Sequence, residues 1–340
     1  MNSCIPETSY FATPEFLSLA LHCMSAIEIP IQILAAWIII SHTPKTMSSV
    51  KWPMLNLHFW SSFLDISISF FTIPLIILPA VAGFPLGIFS RFPSTVAIQT
   101  HVTVTSIGVV LVSIITVYEN RYFLLSQNKG VWRRIRVFYL TVIYLMAISF
   151  LLPFSLMIPD QKDAVKEVFE SLPCLPHCVL EGPVFVYTLN PVPCFLTVLF
   201  LLMITCLAVF IFIFLTVWNL FKANRKSYVS TRTLSLQKKF LLGLVIQTTI
   251  PAVVFSPILY IGVSIPEGYY NQALNNSAVI VCSLHGLVST VAMLSLHQPY
   301  RNATLSFLCS RCARNLPKDA GNNRTVPIGK TIGKLDCVVY

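Results

Sequence analysis

Charge is scarce in this chain. Only 11% of its 340 residues are Asp, Glu, Lys or Arg, against about 25% in an ordinary soluble domain. That excludes a soluble enzyme and a disordered chain alike. Cysteine is sparse as well: ten residues are too few for a disulfide scaffold. Catalytic signatures are missing. There is no H-E-x-x-H and no G-x-S-x-G, and Gly329-Lys330-Thr331 ends like a phosphate-binding loop with Arg324 where the earlier glycine belongs. No enzyme activity, metal or cofactor is expected. No internal repeat of roughly 20–50 residues is visible. The first fifteen residues hold Glu7 and Glu15 and no Lys or Arg, so the positive start of a secretory signal is absent. The apolar run that follows reads as a retained membrane span.

Apolar sequence is what the chain has in quantity. Hydrophobic residues make up 55%, with 24 Phe and a mean hydropathy of +0.75. A helix crosses a bilayer with about 20 apolar residues, and seven runs reach that length: 16–40, 55–82, 95–117, 137–158, 192–219, 240–263 and 277–296. The fold class expected is an all-α membrane protein, a seven-transmembrane helix bundle. Basic residues orient it. Of 23 Lys and Arg, 20 fall on one side, and only Arg91, Lys162 and Lys166 fall on the other. The N-terminus is therefore expected outside and the C-terminus in the cytoplasm. This divides the chain into an extracellular segment 1–15, a transmembrane domain 16–296 and a cytoplasmic tail 297–340. The net charge of +10 marks a face against anionic lipid rather than nucleic acid.

Two acids, Glu28 and Asp65, lie inside spans near the midplane, with no Lys or Arg in a span core to pair with them. A charge there is unfavourable by about 3 kcal/mol. They read either as hydrogen-bonded clamps, with partners among Asn56, Ser67, Ser69 and Ser283, or as a ligand, ion or proton site. In span three, His101 and Thr105 stand four apart and so share a helix face, near Gln99, Thr103 and Ser106. With Ser256 and Tyr260 of span six and Ser283 of span seven they form the candidate ligand-binding set. Pro251 and Pro257 break the hydrogen-bond ladder of span six and make it a candidate hinge. At the inner end of span three the chain reads Tyr118-Glu119-Asn120-Arg121-Tyr122. Glu119 and Arg121, with Arg133, Arg134, Lys238 and Lys239 on the inner loops, are candidates for contact with a cytoplasmic partner. After span seven, Leu305, Leu308, Cys309 and Cys312 fall on one face of a possible amphipathic helix, 302–312. Cys309 and Cys312 are candidates for lipidation rather than for zinc. On the oxidising side Cys4 is expected to pair with Cys174 or Cys178, with a local Cys174–Cys178 bridge as the alternative.

A particular family now comes into view. Glu28-Ile29-Pro30, Thr43-Pro44-Lys45, Val50-Lys51-Trp52, Leu55-Asn56-Leu57-His58-Phe59-Trp60, Phe84-Pro85-Leu86-Gly87, Glu119-Asn120-Arg121-Tyr122, Gln247 with Pro251 and Pro257, and Pro299-Tyr300-Arg301 occur in this order. Over about residues 15–305 the chain resembles the nematode serpentine receptors of class H, seven-transmembrane G-protein-coupled chemoreceptors. The resemblance implies an external small-molecule or odorant ligand and a heterotrimeric G protein as partners. It also implies a multi-pass protein of the plasma membrane, in the ciliary membrane of a sensory neuron. The pattern departs from rhodopsin-like receptors: Asn120 separates the acid from Arg121, span seven lacks Asn-Pro-x-x-Tyr, and no Cys opens span three. The competing reading is a secondary transporter or ion-conducting protein that uses Glu28 and Asp65. Such proteins usually show paired repeats, which this chain lacks.

Overall fold

A computed structural model of the chain describes residues 9–126, 130–172, 175–225, 231–254 and 256–315. It divides into two compact units, Met1–Thr304 and Leu305–Tyr340. The first contains the bundle. Its helices in chain order are α1 (Pro14–His42), α2 (Ser48–Ile66), α3 (Val96–Leu125), α4 (Gly130–Ser149), α5 (Leu152–Leu156), α6 (Gln161–Ser171), α7 (His177–Leu180), α8 (Pro191–Arg225), α9 (Thr231–Val254), α10 (Pro257–Glu267), α11 (Gln272–Ser283) and α12 (His285–Leu296). Helix α13 (Gln298–Asn315) follows, and its residues from Leu305 onward are the described part of the second unit.

Among the described residues, five helical stretches are long and apolar enough to cross a membrane: Pro14–His42, Pro93–Leu125, Gly130–Leu156, Pro191–Lys222 and Gln272–Leu296. The other two spans are α2 with its π-helical continuation Ser67–Thr72, and α9 with α10. The outward faces of the spans carry many large apolar side chains. Phe138, Phe200, Phe210 and Leu259 are among the large exposed side chains, an arrangement that lipid tolerates and water does not.

Helix α1 shows how the sequence selects its inner face. Leu17, Leu21, Ser25, Glu28, Gln32, Ala35 and Ile39 are buried, a spacing of three and four that makes one stripe. Glu28 and Gln32 lie on that stripe and are therefore carried into the bundle. Leu19, Ile27, Ile33 and Ile40 lie off it and are exposed. Helix α3 is the central element and is buried on nearly all sides from Thr103 to Arg121.

The second span ends earlier than its hydropathy implies. Its expected run reached residue 82, but helical structure stops at Thr72, where Ile73 takes a left-handed conformation and Pro74 follows. Strands β1 (Pro74–Ile77) and β2 (Val81–Pro85) form an antiparallel hairpin with Ile76 opposite Gly83. Strand β3 (Phe185–Thr188), from between α7 and α8, pairs antiparallel with β2 and completes a three-stranded sheet. Short apolar runs do not distinguish a buried strand from helix. Gly83 is required here: its φ is 158°, and a Cβ would strike the carbonyl of Leu75.

This sheet covers one end of the bundle, called the sheet end below. Helix α11 fixes it there: Gln272 donates to the Ile76 carbonyl, Asn275 to that of Leu78, and Asn276 to those of Phe11 and Thr13. Asn275, the acceptor of a sequon, is thus fully buried.

Candidate functional site

Two polar assemblies and one apolar cavity lie along the bundle. The deepest is built on Asp65. Helices α11 and α12 are separated by a break at Leu284, whose side chain caps nothing. The first amides of α12 consequently need acceptors from elsewhere. Asp65 Oδ1 accepts from Gly286 N at 3.0 Å and Oδ2 from Leu287 N at 2.8 Å. A carboxyl group of α2 thereby serves as the N-cap of α12. Gly286 makes the approach possible, since a Cβ there would collide with Asp65 Oδ2. Gln32 donates to Asp65 Oδ2 at 3.5 Å and accepts from Ser62 at 2.8 Å and Thr290 at 2.9 Å. His58 Nε2 lies 3.0 Å from the Gln32 carbonyl. Nearer the sheet end, Glu28 Oε2 accepts from Ser69 at 3.3 Å, while its Oε1 is buried with no hydrogen-bond partner. Among the described residues neither acid is in a salt bridge. Of the expected partners, Ser69 holds Glu28. Asn56 instead bonds Ser113 and Tyr144.

The second assembly lies at the opposite end of α3. Arg121 is 6% exposed. Its guanidinium carbon stacks 3.4 Å from the ring centre of Phe240 on α9, and its Nε and Nη2 are buried with no acceptor. Glu119 does not compensate it. That acid accepts from Trp132 Nε1 at 2.8 Å and Arg136 Nε at 2.9 Å, both on α4. Arg136 also donates to Asn120 Oδ1, and Asn120 donates to the Ser49 carbonyl. The Phe240 ring adjoins His297, which adjoins Tyr300. His297 Nε2 is 3.1 Å from Gln247 Oε1, and the Tyr300 hydroxyl 3.0 Å from that of Thr43. Helices α3 and α9, the ends of α1 and α12 and the start of α13 thus meet around one stacked cation. Arg133, Arg134, Lys238 and Lys239 are exposed.

The third is a cavity of about 210 Å³ under the hairpin, lined by Thr72, Leu75, Phe84, Gln99, Thr103 and Tyr187 among others. Its wall is almost entirely apolar.

The sequence comparisons decide what these assemblies belong to. The family model described as serpentine type 7TM GPCR chemoreceptor Srh matches residues 12–310. The chain belongs to this family. Serpentine receptor class H-72 of Caenorhabditis elegans is 26% identical over 306 residues, covering 88% of this chain and 87% of that one. The crystal structure of squid rhodopsin is similar in fold, with a TM-score of 0.58 at 10% identity, over 92% of this chain and 90% of that one. The protein is a multi-pass membrane receptor of the G-protein-coupled class.

The receptor's structure does not gather the expected ligand set into one place. His101 Nδ1 lies 2.6 Å from Ser155 Oγ, which lies 2.6 Å from the Tyr187 hydroxyl. Thr105 is buried with an unpartnered hydroxyl, Tyr260 donates to Asn275 Oδ1, Ser283 donates to the Ile280 carbonyl, and Ser256 is exposed. The described hydrogen bonds of His101, Tyr260 and Ser283 go to other partners. The reason is rotational. Two residues advance a helix by about 200°, so the face holding Gln99 and Thr103, which lines the cavity, is nearly opposite the face holding His101 and Thr105. His101 reaches the cavity wall only through Ser155 and Tyr187. Sequence had named Gln99 and Thr103 only as neighbours.

Of the two candidate hinge residues, Pro251 lies in α9, which ends at Val254, and Pro257 opens α10. Cys309 and Cys312 lie in α13, longer than the 302–312 expected, with their side chains outside the described set. Cys4 and Cys174 are also outside the described residues. Cys178 is a free thiol. Burial first, then the carboxylates of Glu15 and Glu181, push that thiol above its usual range.

Proposed function

We propose that the receptor detects an external small molecule at its sheet end and signals to a heterotrimeric G protein at its Arg121 end. The observation that carries this reading is Arg121. A buried cation with two unmet donors is costly, and among the described residues the Phe240 ring stacks on it and offsets part of that cost. An acceptor arriving from a cytoplasmic partner would satisfy those donors once α9 moves the ring away. The α9–α10 division supplies a joint for that movement. The exposed Arg133, Arg134, Lys238 and Lys239 offer an acidic partner a first encounter. Orientation follows the basic asymmetry, with the sheet end outside and α13 in the cytoplasm. The family membership supports the chemosensory role and a site in the plasma membrane, in the cilium of a sensory neuron.

Transport through Glu28 and Asp65 has weaker support, because Asp65 is committed to two amides and Gln32. Expression in cells that report calcium or cyclic nucleotide, with a tag after Tyr340, tests the reading. The expected result is a tag reachable only after permeabilisation and a compound-dependent signal that needs the G protein. Uptake of the compound without that signal would favour transport.

Of the sequence alternatives for an outer bridge, the free Cys178 thiol favours Cys4 with Cys174. A bridge of this loop size contributes about 2–4 kcal/mol. Non-reducing peptide mapping is expected to recover a Cys4–Cys174 peptide. Recovery of Cys178 in a disulfide would exclude it.

A further inference from the structure

A groove of about 330 Å³ separates α8 from α9 near the Arg121 end of the bundle. Ile213, Val217 and Phe221 stand four apart and line its α8 side, and Lys238, Leu242 and Val245 line its α9 side. The buried Leu220 and Leu241 form its floor, whereas Phe221 and Leu242 are each 59% exposed at its rim. The groove opens away from the stacked cation. Phe240 carries Arg121, and Lys238 and Leu242 stand two residues to either side of it, about 200° around the helix. A partner on the Arg121 side would meet the opposite face of α9. The exposed Phe221 and Leu242 set the groove's own face against acyl chains, which tolerate such side chains as water does not. From Ile213 to Phe221 the groove runs about 12 Å at 1.5 Å per residue, room for part of one chain.

One end of this groove is basic. Lys238 lines it, Lys239 follows, and on α8 the Lys222 ammonium lies 5.2 Å from the Trp218 ring centre. Trp and Lys together mark the level of lipid headgroups. A lysine can lay its apolar stem along such a wall and hold its ammonium group at that level. The chain supplies little counter-charge. No Asp or Glu occurs between Glu181 and Glu267, and among the described residues Lys222, Lys238 and Lys239 are in no salt bridge. Glu119, the acid at this end of α3, is held by Trp132 and Arg136. An anionic group joined to an acyl chain would complement both parts of the groove at once.

We infer that the α8–α9 groove binds an anionic glycerophospholipid, with one acyl chain along Val217 and Val245 and the headgroup phosphate at Lys238. The inference rests on the proposed orientation only for the source of the lipid, the cytoplasmic leaflet, where anionic lipids are concentrated. Binding itself needs neither an external ligand nor a G protein.

The test uses the full-length receptor in uncharged maltoside micelles, where orientation plays no part. Dioleoylphosphatidylserine is titrated against the unfolding midpoint, beside dioleoylphosphatidylcholine and the chain-free headgroup glycerophosphoserine. Phosphatidylserine is expected to give a saturable rise, and glycerophosphoserine none. Phosphatidylcholine is expected to bind about fivefold more weakly, the contribution of one Lys facing an anionic headgroup. Lys238→Gln is expected to bring phosphatidylserine down to the phosphatidylcholine level. Lys239→Gln, about 100° further around α9, is expected to keep most of the preference. Val217→Phe fills the groove from α8, leaves every lysine in place, and is expected to abolish the rise. Equal effects of the two lipids, equal losses in Lys238→Gln and Lys239→Gln, a wild-type rise in Val217→Phe, or a rise from glycerophosphoserine would each overturn the proposal. A midpoint that follows receptor concentration rather than lipid would give the groove to a second copy of the chain and overturn it as well. A C-terminal tag reachable on intact cells would instead refute the proposed orientation and leave this site standing.

Discussion

Replacing Asp65 with Leu is expected to reduce the receptor at the cell surface to a small fraction of the wild-type level. Asp65 is fully buried and accepts from the Gly286 and Leu287 amides. Leucine is close in volume, so the substitution creates little empty space. What it removes is the only cap described for the start of α12. Two buried N–H groups are left unmade, at about 1–3 kcal/mol each. Gln32 also loses its acceptor. A loss of about 4 kcal/mol corresponds to a nearly thousandfold change in a folding equilibrium, enough to divert most chains to degradation. Asp65→Asn retains one acceptor oxygen and is expected to lose less. Gly286→Ala supplies an independent check, because its methyl group would drive the carboxyl group off the same amides. Flow cytometry of an N-terminal epitope measures all three. A wild-type surface level for Asp65→Leu would show that the cap is dispensable.

The sequence could flag Asp65 but not its partner. An acid in an apolar run is visible in a window of twenty residues, whereas Gly286 is 221 positions away and looks like a weakness in span seven. Long apolar runs likewise located the spans, because a bilayer sets a length that composition must meet. The hairpin 74–85 was illegible for the converse reason. Four apolar residues fit a strand or a helix equally well, and the run was absorbed into span two. Helix α3 is legible as polar near its start. The choice of His101 and Thr105 over Gln99 and Thr103 turned on which face meets the bundle cavity, and that depends on the hairpin. At the other end, the short string around Arg121 offers Glu119 and Arg121 together as contacts for a cytoplasmic partner. The acid instead serves Trp132 and Arg136, and Arg121 rests on Phe240, 119 residues later in the chain.

That division of labour gives Arg121→Ala a distinctive expected phenotype: signalling reduced at least tenfold with surface expression nearly unchanged. Two stability effects oppose one another. The stack on Phe240 is lost, worth about 2 kcal/mol for a desolvated cation. A buried guanidinium with two unmet donors is removed at the same time, which relieves a comparable penalty. Glu119 keeps its own partners, so no acid is stranded. Signalling has no such compensation, because the donors that would meet a G protein are gone. Phe240→Leu separates the roles further. It leaves the guanidinium in place but takes away the ring that holds it, so basal signalling is expected to rise. The pair of variants is informative together. A purely structural Arg121 would lower expression in both, and an Arg121 irrelevant to coupling would leave both at wild-type signal. A cation waiting for an acceptor gives opposite signs, a loss in Arg121→Ala and a gain in Phe240→Leu, measured as ligand-dependent and basal reporter output normalised to surface receptor.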